Sequence, residues 1–159
     1  WKDLTIERLP EIPNFTLLVG WTGQVAITDS LIQATEKKRK VETDSAFYKE
    51  FLAKSHAIVQ GLQNAWNQQD IPALQEGIRA NRALLNEFAQ VMQLEIETPA
   101  LQTLCDIAEQ NGACAKTSGA GGGDCGICFT QNETQRQQIE TQWAKAQIQV
   151  LPLTIAEAW

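Results

Sequence analysis

Histidine and methionine each occur once in this 159-residue chain, at His56 and Met92, and basic residues are outnumbered, 13 Lys and Arg against 19 Asp and Glu. The net charge of −6 argues against a nucleic-acid or acidic-membrane partner. His56 lies beside the apolar stripe of its segment, with no serine or cysteine in a site context near it, so a catalytic triad is not expected and the residue reads as a solvated flank. No apolar run approaches the roughly 18 residues a membrane span needs. The N-terminus lacks a basic region followed by an apolar core, so no signal peptide is expected. These absences predict a cytoplasmic protein. With the only methionine at 92, a chain that starts at Trp1 is expected to be a fragment.

What is present fits one globular domain over residues 1–159. Apolar residues make up 43% and charged residues 20%, ordinary values for a packed core of this size. Four cysteines stand at 105, 114, 125 and 128. Cys125 and Cys128 have CxxC spacing, which suggests zinc or redox chemistry. They fall in a strand-like stretch, however, where residues three apart point to opposite faces, and a redox pair normally opens a helix. The cysteines read as small core residues.

The most unusual stretch is Lys116-Thr117-Ser118-Gly119-Ala120-Gly121-Gly122-Gly123-Asp124-Cys125-Gly126. Glycines at 119, 121, 122 and 123 would be costly inside a helix or strand, because each loses backbone entropy and packs nothing. The run joins two apolar stretches, 113–115 and 127–129, so it reads as a loop between strands. Its N–H groups could line an anion. A plain hairpin turn is the alternative, although about two to five residues usually suffice for one. Gly121 is expected where ligand and backbone nearly touch, at positive φ and outside the core. The lysine precedes the glycines and a strand follows them, so the run is neither a Walker A loop nor a dinucleotide fingerprint.

The rest of the chain alternates between strand and helix signals. Residues 1–13, with Pro10 and Pro13, read as an edge strand or connecting arm. A strand is expected over 14–21, ended by Gly20 and Gly23, then a helix over 25–40 with Thr28 or Asp29 in its first turn and a basic end. A second helix runs from Thr43 or Asp44 to about Asn67, with Phe47, Phe51, Ile58, Leu62 and Trp66 inward. Asp70 and Pro72 open a third, with Leu74, Ile78, Leu85, Phe88 and Met92 as its stripe and Arg79, Asn81, Arg82 and Asn86 on other faces. Thr98-Pro99 opens a fourth, with Leu101, Leu104, Cys105 and Ala108 inward, and Asn111-Gly112 stops it. A fifth, capped by Asn132, runs to about Gln147 with Ile139, Trp143 and Ala146 inward, before a last strand over 148–153. The order strand, helices, strand, strand, helix, strand predicts an α+β fold. It is the ferredoxin-like split βαβ antiparallel sheet, with additional helices inserted in its first crossover.

The glycine stretch resembles the third, C-terminal motif of the GHMP small-molecule kinases. Val19-Gly20-Trp21-Thr22-Gly23 and Thr98-Pro99-Ala100-Leu101-Gln102-Thr103-Leu104 extend the resemblance, which is strongest to the bacterial phosphomevalonate kinase branch. It spans nearly the whole chain, but only the second half of such an enzyme. It implies the same split βαβ plan, with ATP and Mg2+ bound mainly by an N-terminal domain outside this chain. The reaction implied is phosphorylation of 5-phosphomevalonate to 5-diphosphomevalonate in isoprenoid synthesis.

Carried over by position, the resemblance gives Ser118 and Ala120 to the acceptor phosphomevalonate and lets Gly119, Gly121, Gly122 and Gly123 shape the phosphate loop. Thr28 would hold the acceptor through its hydroxyl. Lys116 is either a substrate contact or an edge-strand charge. No Gly-Leu-Gly-Ser-Ser loop and no Gly-Asp-x-Ala-Ser stretch occurs, so the family's second phosphate loop and catalytic aspartate are expected upstream of Trp1. Asp29 reads as a helix-start residue, and Asp124 as a loop-end group bonding nearby amides; neither reads as a base. The chain alone is expected to be inactive and, without its covering domain, to self-associate. Mevalonate kinase and diphosphomevalonate decarboxylase are the neighbouring alternatives. A non-catalytic ferredoxin-like ligand-binding or interaction module is the alternative of another class.

Overall fold

The computed structural model describes residues 9–13, 15–24, 46–119 and 121–153. The expected helix over 25–40, with Thr28, Asp29 and its basic end, lies outside the described residues, as does Ala120. Strand β1 is Thr16–Trp21, followed by helices α1 (Ala46–Gln68), α2 (Ile71–Met92) and α3 (Pro99–Gln110). Strands β2 (Cys114–Thr117) and β3 (Cys125–Thr130), helix α4 (Glu133–Lys145) and the short strand β4 (Gln149–Val150) complete the chain. The sheet order is β2-β3-β1-β4 and every neighbouring pair is antiparallel. This is the expected split βαβ arrangement, in which β3 separates β1 from β2.

The helices start where local chemistry says they should. Asp70 Oδ1 accepts from the Ala73 N–H at 3.1 Å, Thr98 Oγ1 from Leu101 at 3.4 Å, and Asn132 Oδ1 from Gln135 at 2.9 Å. Each cap satisfies a donor that the first turn leaves without a partner. Gly112, at φ 74°, turns the chain out of α3 into β2.

The main core lies between one face of the sheet and helices α3 and α4. Leu18, Ala115 and Cys128 meet Leu104, Cys105, Ala108, Ile139 and Trp143 there. Its tightest point is a notch in the sheet. Gly20 and Gly126 are paired across β1 and β3, and Leu104 fills the space above both. A Cβ at Gly20 would lie 2.8 Å from Leu104 Cδ1, and one at Gly126 2.7 Å from Leu104 Cδ2. Both glycines are thus interior strand residues. The sequence reading, which took Gly20 as a strand terminator, missed that they admit a helix side chain.

Helices α1 and α2 form a hairpin in which α2 packs against edge strand β2, with Phe47, Phe51 and Phe88 in a cluster of their own. Arg79 Nη2 donates to the Ala113 carbonyl at 3.2 Å, beside the free edge of the sheet. The hairpin is tied to α3 by charge as well. Arg82 Nε donates to Glu97 Oε2 at 2.8 Å and its Nη2 to Asp106 Oδ1 at 3.1 Å, while Asn86 Nδ2 donates to Glu97 Oε2 at 3.1 Å. Burial pushes the Glu97 carboxyl up, but the Arg82 and Asn86 hydrogen bonds outweigh it and hold the pKa below its ordinary 4.5.

Several sequence expectations are corrected. Leu84 is buried in α2, as Leu74 is, whereas Leu85 of the expected stripe is only half-buried. Ala146 is exposed, since α4 ends at Lys145 and Gln147 at φ 61° swings the chain back to the sheet. The last strand is two residues rather than six. Leu151 N–H still reaches the Val19 carbonyl at 2.8 Å, but Pro152 has no N–H to continue the ladder. The α1 stripe is half-buried; only Ala65 of that helix is fully enclosed. Residues 9–13 form no strand, although Ile12 is buried.

Two outcomes follow from this packing. Gly126→Ala should cost about 1–3 kcal/mol in urea unfolding, as overpacked core sites do. The cost should be partly recovered when combined with Leu104→Ala, which removes the clashing atoms; strictly additive costs would contradict the notch. For acid stability, Glu97 has a depressed folded pKa, so its contribution is present above about 4.5 and is lost as pH falls through the lower folded value. Unfolding titrations of Glu97→Gln should therefore show a shallower loss of stability in acid than the parent.

Candidate functional site

The hairpin from β2 to β3 carries the glycine loop. Ser118 N–H donates to the Cys125 carbonyl at 2.9 Å and closes its stem. Beyond that bond the backbone enters conformations that side chains avoid. Gly119, Gly121, Gly122 and Gly123 have φ of 64°, 77°, 79° and 129°, and Asp124 has 50°. The glycines are therefore needed for the path of the chain itself.

Two neighbouring segments hold that path. The Ile96 carbonyl, in the connection between α2 and α3, accepts the Gly122 N–H at 2.8 Å, and a Cβ on Gly121 would lie 2.4 Å from the same oxygen. On the other side, Asp124 N–H donates to the Gln24 carbonyl at 2.7 Å and Thr22 N–H to the Asp124 carbonyl at 2.8 Å. A Cβ on Gly123 would come within 3.3 Å of Gln24 Cβ. Gly121 and Gly123 are buried by these contacts. The positive φ expected at Gly121 is present. What nearly touches its backbone is Ile96 rather than open ligand space, and the residue is packed rather than outside the core.

The opposite stretch of the loop is open. Gly119 is exposed, and a Cβ there would meet nothing within 4 Å. Among the described residues, the N–H groups of Gly119, Gly121 and Gly123 and the Ser118 hydroxyl have no hydrogen-bond partner. Of these, Gly119 is exposed and Ser118 half-buried, whereas Gly121 and Gly123 are buried against Ile96 and Gln24.

Lys116 stands in β2 opposite Ile127, at the base of the loop. Its Nζ donates to the Thr117 carbonyl at 2.7 Å, and burial pushes its pKa below the ordinary value. The structure brings Lys116 to the loop stem and gives it no contact with Ser118. Asp124 departs from its expected role. Its backbone N–H and C=O make the local bonds, while its exposed carboxylate receives only the Cys125 thiol, at 3.7 Å, among the described residues. Thr28 and Ala120 lie outside the described residues. The cysteines fall on alternating faces of β3, with Cys128 buried and Cys125 half-exposed. Burial pushes the Cys114 thiol up to about 11 and Cys105 to about 12, values of inert thiols.

Sequence reasoning missed Ile96, Gln24 and the Arg82–Glu97 pair. The signal for the pair was present, since Arg79, Arg82 and Asn86 follow at spacings of three and four and so share one helix face. Nothing local announces Ile96, whose partner lies across the fold.

The chain is thus a split βαβ sheet with a glycine loop at positive φ between an edge strand and a central strand. The chain belongs to the GHMP kinase family: residues 58–149 match the family described as GHMP kinases C terminal. It is 37% identical over 158 residues to a phosphomevalonate kinase from Streptomyces sp. (strain CL190), covering 98% of this chain and 42% of that protein. The Lin0012 protein from Listeria innocua superposes with a TM-score of 0.87 at 34% identity, over 93% of this chain and 41% of that one. A Streptococcus pneumoniae phosphomevalonate kinase, in complex with phosphomevalonate and AMPPNP, superposes at 0.73 and 30% identity, over 85% and 37%. The chain thus spans about two fifths of the length of these relatives.

The loop geometry predicts that glycine substitutions separate by position. Gly121→Val must displace the Ile96 carbonyl and should lower stability by more than 1 kcal/mol or so, as incompatible φ and overpacking do. Gly119→Ala, in open space, should cost only its backbone strain. Equal losses in thermal unfolding would show that the clamp contributes nothing.

Proposed function

We propose that this chain is the acceptor-side, C-terminal domain of a phosphomevalonate kinase, one domain over 1–159 that works with an ATP-binding domain encoded upstream. In the reaction, an oxygen of the acceptor phosphate attacks the γ-phosphorus of ATP, the bond to the ADP oxygen breaks, and ADP leaves. Charge spreads over the equatorial oxygens of the moving group, and catalysis consists mostly of positioning and neutralising it. The open end of the loop supports this reading best, because the exposed Gly119 amide and the adjoining Ser118 hydroxyl, both without a hydrogen-bond partner among the described residues, stand on a backbone clamped from both sides. Such donors need no reorganisation when the anion arrives. The 37% identity to a named phosphomevalonate kinase adds to that support.

Each residue has a role on this reading. Ser118 and Ala120 contact the acceptor phosphate, Gly119 leaves it bare backbone to approach, and Gly121, Gly122 and Gly123 hold the loop's shape. Lys116 supplies positive charge beneath the loop, and Thr28 contacts the acceptor from the segment after β1. Mg2+ accompanying ATP would be held mainly by the ATP-binding domain, as the family resemblance implies. No helix of the described residues is long and apolar enough to cross a membrane, and a cytoplasmic setting suits the soluble substrates of the reaction.

The test measures ADP release from Mg-ATP with phosphomevalonate, using this chain alone and the full-length protein. The chain alone should show no turnover, and the full-length protein turnover on the order of 10 per second. In the full-length protein, Ser118→Ala should lower kcat/KM for phosphomevalonate by about tenfold or more, as loss of one hydrogen bond to a charged group does, with a smaller effect on ATP. Turnover with mevalonate or diphosphomevalonate in place of phosphomevalonate would move the assignment to the neighbouring enzymes. Full activity of the isolated chain would overturn it.

A further inference from the structure

We propose that Arg82 and Glu97, together with Asn86, are positioning residues for the glycine loop, acting through the Ile96 carbonyl. This rests on the functional reading above only for its effect on catalysis. Glu97 immediately follows Ile96, and its side chain is 7% exposed, while that of Arg82 is 17% exposed. Both carboxylate oxygens are taken by Arg82, Oε2 by Nε and Oε1 by Nη2, and Asn86 adds a third bond to Oε2. A two-pronged guanidinium contact fixes angle as well as distance, which a single charged contact does not.

The residues around Ile96 leave it little freedom. Leu94 N–H donates to the Ala89 carbonyl at 2.8 Å, which pins the chain before it, and Thr98 caps α3 directly after. Ile96 itself is buried in the cluster of Phe88, Ala89 and Met92. Its carbonyl therefore points where the ion pair and the α3 cap together place it. That oxygen accepts the Gly122 N–H and forms the floor on which Gly121 rests. A shift in Glu97 changes the height of the loop's open face, where Ser118 and Gly119 stand.

A stability role alone does not call for this arrangement. A shielded ion pair returns little net stability, because desolvation offsets the attraction, and apolar residues of similar volume often serve as well. What an ion pair with three hydrogen bonds supplies is geometry.

The experiment uses the full-length protein. Hydrogen exchange read by mass spectrometry on peptides spanning the loop is compared with β3 peptides in Glu97→Gln and Arg82→Lys. Loop exchange should accelerate by about tenfold with β3 unchanged, the pattern of a local rather than global opening. In the same variants kcat should fall about tenfold to a hundredfold, as small misplacements of reacting groups do, with KM for ATP within about twofold of the parent. Should β3 accelerate equally in both variants, Asn86→Ala, which leaves the ion pair in place, decides: selective loop exchange supports the assignment and uniform or unaltered exchange overturns it. Unchanged loop exchange, or faster exchange with unchanged kcat, also overturns it. A parent protein inactive on phosphomevalonate but with selective loop exchange in the variants would sink the substrate assignment while the anchor stands.

Discussion

The fold depends on how closely α3 can approach the sheet. Two glycines opposite one another on β1 and β3 remove the side chains that would hold it away, and Leu104 descends into the gap. Trp143 then donates its Nε1–H to the Leu104 carbonyl at 3.0 Å, which fixes α4 to the same turn of α3. A single leucine thus sets both helices against the sheet. With α3 seated, its N-terminus and the residues just before it are seated as well, and those residues include Ile96 and Glu97. The notch in the core and the clamp on the loop are two ends of one rigid element.

This linkage changes what the glycines mean. Glycine runs invite the inference that a ligand must come close, and Gly119 fits it, being exposed with nothing near. Gly121 and Gly123 fit a different account. Their missing side chains make room for Ile96 and Gln24, segments far away in the chain. One face of the loop is without side chains so that the protein can grip it. At Gly119 the missing side chain leaves open space, which the proposed function gives to substrate. A preorganised anion site requires both, because amides that have to reorient on binding lose much of their advantage.

Local chemistry in the sequence was enough to place much of this. Asp70, Thr98 and Asn132 are read as caps from their own neighbourhoods, and Leu101, Leu104, Cys105 and Ala108 follow from one period of helix. The order of elements then leaves few sheet topologies. What failed was whatever depends on a distant partner. Leu84 and Leu85 are equivalent until the rotation of α2 against its neighbours is known. Gly20 looks like a strand end until Leu104 is seen above it. Arg82 and Asn86 look like solvent-facing polar residues until Glu97 arrives from the α2–α3 connection. In the site, the glycine loop was legible because its composition marks it, and Ser118 was assigned to it by the family resemblance, whereas the residues that hold the loop were not legible.

Electrostatics explains why the loop relies on backbone. A chain of net charge −6 offers no general attraction to an anion, so on the proposed function recognition would have to be local. Lys116 is the one cation at the stem, and burial makes its charged form less favourable. An anion seated above it would oppose that shift and draw the pKa back up. On the proposed function Lys116, whose Nζ otherwise donates to the Thr117 carbonyl, would gain from a phosphate in the loop. Amide dipoles carry no such penalty, since their desolvation was met when the chain folded. Placing donors on glycine backbone, with Lys116 near the loop stem, would let an acidic domain hold an anion without a cluster of cations that would repel one another in its absence.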